Sequence, residues 1–97
     1  MQIFIPFAVD MKTAILNRKK NATRRYKRYG NVGDSFNIAT YAYFLTEVFK
    51  QPLSEMTEVD ALEEGFENLE QFFKRWRELH PRRKFDLNDA VWVHKWE

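Results

Sequence analysis

Residues 18–28 read "RKKNATRRYKR" and carry seven bases and no acid. Like charges packed this closely repel, and with no acid interspersed, local helix pairs cannot neutralise them. The triplet Asn21, Ala22 and Thr23 splits the run and reads as a turn entering a short strand over 22–26. On a strand, successive side chains point to opposite faces. One of Arg24 and Arg25 must then be directed inward or into a cleft, where it has to meet an anion.

The anion is available within the chain. Residues 55–70, "EMTEVDALEEGFENLE", hold seven acids and no base. Residues 1–50 carry nine Lys/Arg against three Asp/Glu, whereas residues 51–97 carry seven against eleven, so halves of +6 and −4 make up the net charge of +2. This asymmetry implies an anionic partner for the basic run, internal pairing of the two segments, or both. Tyr26 and Tyr29 lie among the bases, the aromatic interleaving expected of a nucleic-acid surface.

The rest of the chain supplies the frame. "QIFIPF" (2–7) reads as a first strand ending at Pro6, and Asp10 as the cap of a helix over 11–19. "YGNVGD" (29–34) is a turn. "SFNIATYAYFLTEVFKQPL" (35–53) reads as a long strand, or two joined by a bend near Ala39, closed by Pro52. Thr57 caps a short helix that ends at Gly65. Leu69, Phe72, Phe73, Trp76 and Leu79 fall on one face of a second helix, with Asn68 as its cap and Pro81 beyond its end. "PRRKFDLNDA" (81–90) is a charged connection, and "VWVHKW" (91–96) is a final strand with Val91 and Val93 on one face and Trp92, His94 and Trp96 on the other.

At 97 residues the chain implies one domain, 1–97, with one core. Nine Phe, four Tyr and three Trp are enough to build it. Order and content favour an α+β fold, a small curled sheet or barrel with helices at its side. With no cysteine, disulfides and thiolate metal sites are excluded, and a reducing, cytoplasmic setting is expected. No apolar run reaches the roughly 20 residues that span a bilayer, and residues 1–12, with no basic n-region and no long apolar h-region, are not expected to be a secretion signal. His80 and His94 are far apart and unaccompanied by cysteine, so neither a metal nor another cofactor is expected. "GNVGD" lacks the pattern of a phosphate-binding loop, and Ser35 and Ser54 lie outside a nucleophile elbow. The stripe at 69–79 and the Trp92/Trp96 pair are expected in the core.

Taken in order, "AILNRKKNATRR", "VGDSF", "LSEMTEVDALEEGFENLEQFFKRW" and "VWVHKWE" resemble the ASCH domain, a member of the PUA-like superfamily. The resemblance runs from about Phe4 to Trp96. It implies a small β-barrel of about five strands, two or three helices packed at its side, and a cleft between them. The family's Gly-x-Lys-x-x-Thr-x-Arg pattern is matched by Lys20, Thr23 and Arg25, with Arg18 in the glycine's place. Gly33 and Asp34 match its Gly-Asp turn, and "EEGF" the segment after its acidic helix. Some ASCH proteins are similar to amidohydrolases that deacetylate acetylcytidine; by motif position their lysine, threonine and glutamate would be Lys20, Thr23 and Glu64. Others are suspected of binding RNA.

Two functions are therefore expected of the chain. It is an RNA- or nucleotide-binding module whose basic cleft takes a base, with phosphates on Arg18, Lys19, Lys20, Arg24, Arg25, Lys27 and Arg28, DNA being a further ligand of the same kind. Alternatively it is a small amidohydrolase on a modified nucleoside. A protein-interaction domain with an acidic partner remains open, as does self-pairing at an exposed strand edge.

Overall fold

A computed structural model describes residues 1–97. In chain order it holds helix α1 (Val9–Leu16), strands β1 (Ala22–Arg25), β2 (Ser35–Ile38) and β3 (Tyr41–Pro52), a single 3₁₀ turn at Leu53–Glu55, helices α2 (Glu58–Glu63) and α3 (Leu69–Leu79), and strand β4 (Ala90–Trp96). The strands form one antiparallel sheet in the order β1-β4-β3-β2. It curls as a half-barrel with β1 and β2 as its edges, and does not close into a barrel of five strands.

The missing fifth strand is the N-terminal run. Ile3, Ile5 and Phe7 alternate inward as a strand would, and Ile5 is buried. The backbone, however, pairs only at one parallel bridge, Gln2 with Ser35, where Ile3 N–H donates to Ser35 O at 2.7 Å and Ser35 N–H donates to Met1 O at 3.0 Å. Pro6 has no N–H to extend a ladder, and the chain turns into α1 three residues later. The expected cap of α1 also differs. Ala8 occupies that position, and Asp10 sits in the first turn, where its carboxylate reaches Arg75 on α3.

Downstream, local chemistry sets the elements as the sequence predicts. Thr57 and Asp60 form a reciprocal capping box on α2, and Asn68 caps α3 by accepting from Gln71 N–H at 2.9 Å. β3 is a long strand with an irregularity between Leu45 and Glu47. The bend expected near Ala39 is a two-residue hairpin loop, Ala39–Thr40, between the paired Ile38 and Tyr41.

β4 lies between β1 and β3, so both its edges are paired, and a hydrophobic cluster packs on each of its faces. In one direction Trp96 joins Ile5, Ile15, Phe36, Ile38 and Leu45. In the other, Val91 joins Leu53, Met56, Ala61, Phe72 and Trp76 beneath α2 and α3. Trp96 is thus core, as expected, whereas Trp92 is half-buried between the Arg28 guanidinium and the Lys50 ammonium, 4.9 and 5.6 Å from its ring.

Ala39 holds φ at 54°, a left-handed conformation that costs an L-residue about 1 kcal/mol or more and a glycine little. Its side chain is exposed. Ala39→Gly should therefore raise the unfolding free energy by about 0.5–1 kcal/mol in urea denaturation; an unchanged or lowered midpoint would contradict this reading of the hairpin.

Candidate functional site

Two helix ends meet back to back and build the site. At the end of α1, Arg18 N–H donates to Ile15 O at 3.0 Å and Lys19 N–H to Ala14 O at 2.8 Å. This is a Schellman closure, and its left-handed position is held by Arg18 at φ 60°. Arginine, in the place where the ASCH pattern has glycine, thus adopts the conformation a glycine would supply. At the end of α2, Gly65 N–H donates to Leu62 O at 3.0 Å and Phe66 N–H to Ala61 O at 2.9 Å, with Gly65 at φ 95°. A Cβ on Gly65 would lie 3.3 Å from the Cβ of Lys20, so the close approach of the two ends also favours glycine. Asn21 N–H then donates to Glu63 O at 2.8 Å and clips the ends together.

This geometry delivers Lys20 and Glu64 to the same point. The Lys20 Nζ donates to both the Oε1 and the main-chain oxygen of Glu64, each at 2.9 Å. A cation therefore closes the C-terminus of α2, where the helix dipole favours it. Arg24 completes the group: its Nη1 reaches Glu64 Oε2 at 3.0 Å, its Nε and Nη2 donate to Gln51 Oε1, and its Nη2 lies 3.6 Å from Asp60. Lys20, Arg24 and Glu64 are each only 3% exposed. The inward arginine that the sequence required is Arg24, and the anion it meets is the acidic segment of the same chain. Burial pushes the Lys20 ammonium below its ordinary value, and the charges of Arg25 and Arg24 add to this; the Glu64 carboxylate pulls the other way without cancelling it.

Thr23 is buried beside the triad, and its Oγ1 accepts from Arg25 Nε at 3.0 Å. Arg25 runs outward between the rings of Phe7 and Tyr29 and ends on Pro6 O at 2.6 Å. Directly across from Thr23, on β4, His94 is fully buried. Its Nε2 accepts from Tyr29 N–H at 3.0 Å, and its Nδ1 faces Thr23 O at 3.4 Å. A neutral ring protonated on Nδ1 satisfies both contacts. Desolvation lowers the pKa of His94 below its ordinary 6.5, and Arg25 and Arg28 act in the same direction.

Lys20, Thr23, Arg24, Arg25 and Glu64 line one pocket of about 260 Å³ between the start of α1, the edge strand β1, and α3. Its walls are apolar and aromatic, with Phe7, Met11, Phe66, Phe72 and Trp76 among them. Its volume falls a little under the range of about 300–1,000 Å³ usual for small-molecule sites, and suits one flat heterocycle. At its rim the Arg75 guanidinium bridges from α3 to Asp10 on α1 through two bonds of 2.7 and 3.1 Å. Phe72, Arg75, Trp76 and Leu79 fall at i, i+3, i+4 and i+7, so the helix face assigned to the core also walls the pocket. Arg75 and His80 were not anticipated as site residues; the position of Arg75 on that face is the signal that marks it.

The basic run does not form one surface. Lys20 and Arg24 point inward and are paired. Arg25 lines the pocket. Arg18 and Lys19 lie along a different, larger and more open groove of about 950 Å³ with Leu16, Tyr41, Leu62 and Trp96. Lys27 and Arg28 are exposed in the connection after β1, stacked on Tyr29 and Trp92. No group of three His, Cys, Asp or Glu side chains is placed to hold a metal ion, and no helix is long and apolar enough to cross a membrane.

This open, curled antiparallel sheet flanked by three helices is the fold of a solved ASCH domain. The chain is similar in structure to the ASCH domain of Lactobacillus crispatus JV V101, with a TM-score of 0.80 and 15% sequence identity over 98% of this chain and 76% of that one. It is also similar to a DUF984 protein of Enterococcus faecalis V583, with a TM-score of 0.67 and 16% identity over 99% of this chain and 76% of that one. No protein-family model matches the sequence, and no curated protein matches it either.

Removing one member of a buried ion group leaves the others uncompensated, at a cost of about 3–5 kcal/mol. Glu64→Ala should lose about that much stability in urea, and the triple replacement Lys20→Met, Arg24→Met, Glu64→Leu should regain most of it. A loss under about 1 kcal/mol for Glu64→Ala would mean the triad holds nothing together.

For His94 the sign follows from its lowered pKa. Below 6.5 the unfolded chain binds a proton that the folded chain resists. The contribution is therefore fully present above 6.5 and is lost as the pH falls through the folded value. Urea midpoints from pH 8 to pH 5 should fall more steeply for the parent than for His94→Gln; equal slopes would exclude His94 as the cause.

Proposed function

We propose that this chain is an RNA- or nucleotide-binding domain that takes a nucleobase into the pocket between α1, β1 and α3. The observation that carries this reading is the pocket's composition: hydrogen-bonding groups from Thr23, Arg25 and the Lys20–Glu64 pair form one end, and aromatic walls from Phe7, Phe66, Phe72 and Trp76 stand around it. A base has two requirements of a protein, a surface to stack on and partners for its polar edge. Both are present in a space that admits little more than one base. The ASCH-domain fold agrees with this reading, and the absence of cysteine agrees with work in the cytoplasm.

A titration followed by NMR with cytidine, acetylcytidine and a short single-stranded RNA tests it. The amides of Thr23, Arg25 and Glu64 and the indole N–H of Trp76 should shift. Free-nucleoside binding should be insensitive to salt, and RNA binding should weaken steeply with it. Shifts confined to the groove around Leu16 and Tyr41, or none, would overturn the proposal.

One observation favours a second reading. Lys20 is buried with its pKa lowered, in the same pocket as the Thr23 hydroxyl. In its neutral form Lys20 would take the Thr23 proton as Oγ1 bonds to the acetyl carbon of acetylcytidine. The C–N bond to the exocyclic amine would then break, Lys20 would return the proton to that nitrogen, and water would release acetate from Thr23. This amidohydrolase reading expects turnover of acetylcytidine that disappears in folded Lys20→Ala and Thr23→Ala variants. If the parent protein leaves acetylcytidine untouched at high enzyme concentration, catalysis is excluded and the binding role stands.

A further inference from the structure

Beside the pocket lies a second cationic cluster, outside the basic run of residues 18–28. Trp76 and His80 line the pocket, and they also line a small cleft with Tyr26, Arg77, Arg83 and Lys84. Tyr26, Trp76 and His80 pack on one another, with ring centroids 4.3–5.1 Å apart. The Arg83 guanidinium lies 3.7 Å from the Tyr26 ring centroid, and that of Arg77 lies 5.2 Å from Phe85. These stacks hold two planar cations in place while leaving their N–H edges free. Arg82, the other base of the "PRRK" corner, is exposed as well.

None of these four cations is spent within the molecule. The chain's ion pairs all involve other bases, and no side-chain hydrogen bond uses a donor of Arg77, Arg82, Arg83 or Lys84. Lys20 and Arg24, by contrast, are buried and have their charge paired with Glu64, so neither stands as a free surface cation for a phosphate outside the pocket. A nucleotide whose base enters the pocket therefore finds its free cations elsewhere, and this cluster shares two wall residues with the pocket.

We propose that Arg77, Arg82, Arg83 and Lys84 form a phosphate-binding hook for the nucleotides flanking the base in the pocket, so that the ligand is single-stranded RNA rather than a free nucleoside. The inference rests on the pocket being a base site. Stacked arginines present a fixed fork of donors to phosphate oxygens, and the neighbouring lysine adds charge. A base can enter so narrow a pocket only when it is unstacked from its neighbours, which selects single strands.

The test compares a labelled single-stranded RNA of about ten nucleotides with free cytidine, on the parent protein and on Arg82→Ala/Arg83→Ala/Lys84→Ala. RNA affinity is measured by anisotropy between about 50 and 200 mM salt, and cytidine by calorimetry. Loss of three phosphate contacts should lower the slope of log affinity against log salt by about 2, and weaken RNA binding at least about tenfold near physiological salt. Cytidine binding should not change. Because Arg83 also packs on Tyr26, the double variant Arg82→Ala/Lys84→Ala, which leaves that stack intact, should still lower the slope by about 1.4. An unaltered slope in both variants, or RNA that binds the parent no tighter than cytidine does, overturns the hook and leaves the base pocket standing. Failure of the parent to bind either ligand overturns both.

Discussion

A carboxylate held between two cations organises this molecule. Glu64 stands just past the last residue of α2, and it receives Lys20 from the end of α1 and Arg24 from the edge strand. Two helix ends and an edge strand of the sheet are thereby pinned at one point. Ions this deeply buried are costly to desolvate, and such a group adds little net stability over an apolar replacement. What it adds is geometry: each member is intolerable without the others, so the two helix ends and the strand have one way to meet.

The pocket follows from that arrangement. Because β1 is an edge strand, residues of both its faces border the opening, and consecutive side chains contribute to one site: Thr23 and Arg25 with one another, Arg24 with the triad. The start of α1 closes one wall and the apolar face of α3 another, while the Asp10–Arg75 bridge joins the two helices across the rim. An open half-barrel leaves room for this. Had "QIFIPF" paired as a fifth strand, its backbone would have been committed to a ladder. Instead, Pro6 and Phe7 are turned toward the pocket, where the Pro6 carbonyl receives Arg25.

Much of the frame was legible in the chain. The caps at Thr57 and Asn68, the stop at Gly65, the helix face from Leu69 to Leu79 and the bend at Ala39 each depend on residues close in sequence, and local rules govern them. Convergence of Lys20, Thr23 and Glu64 was legible as well, through the ASCH-like pattern and through the segregation of seven bases from seven acids. The N-terminal segment misled because alternation reports which side chains face inward and not whether the backbone finds a partner. Asp10 was read as a cap for the same reason: its preference is local, and a guanidinium on α3 overrides it.

The sequence by itself determined that a buried anion must meet the basic run and that the acidic segment could provide it, since charge cannot be hidden unpaired. Only the tertiary structure decided which bases turn inward and which remain free. Seven neighbouring cations look alike along the chain, but Lys20 and Arg24 are consumed by Glu64, Arg18 and Lys19 face another groove, and the free charge beside the pocket comes from the corner at 81–84. That division depends on how the strand edge, the two helix ends and α3 are placed in space, which is set by packing between residues far apart in sequence.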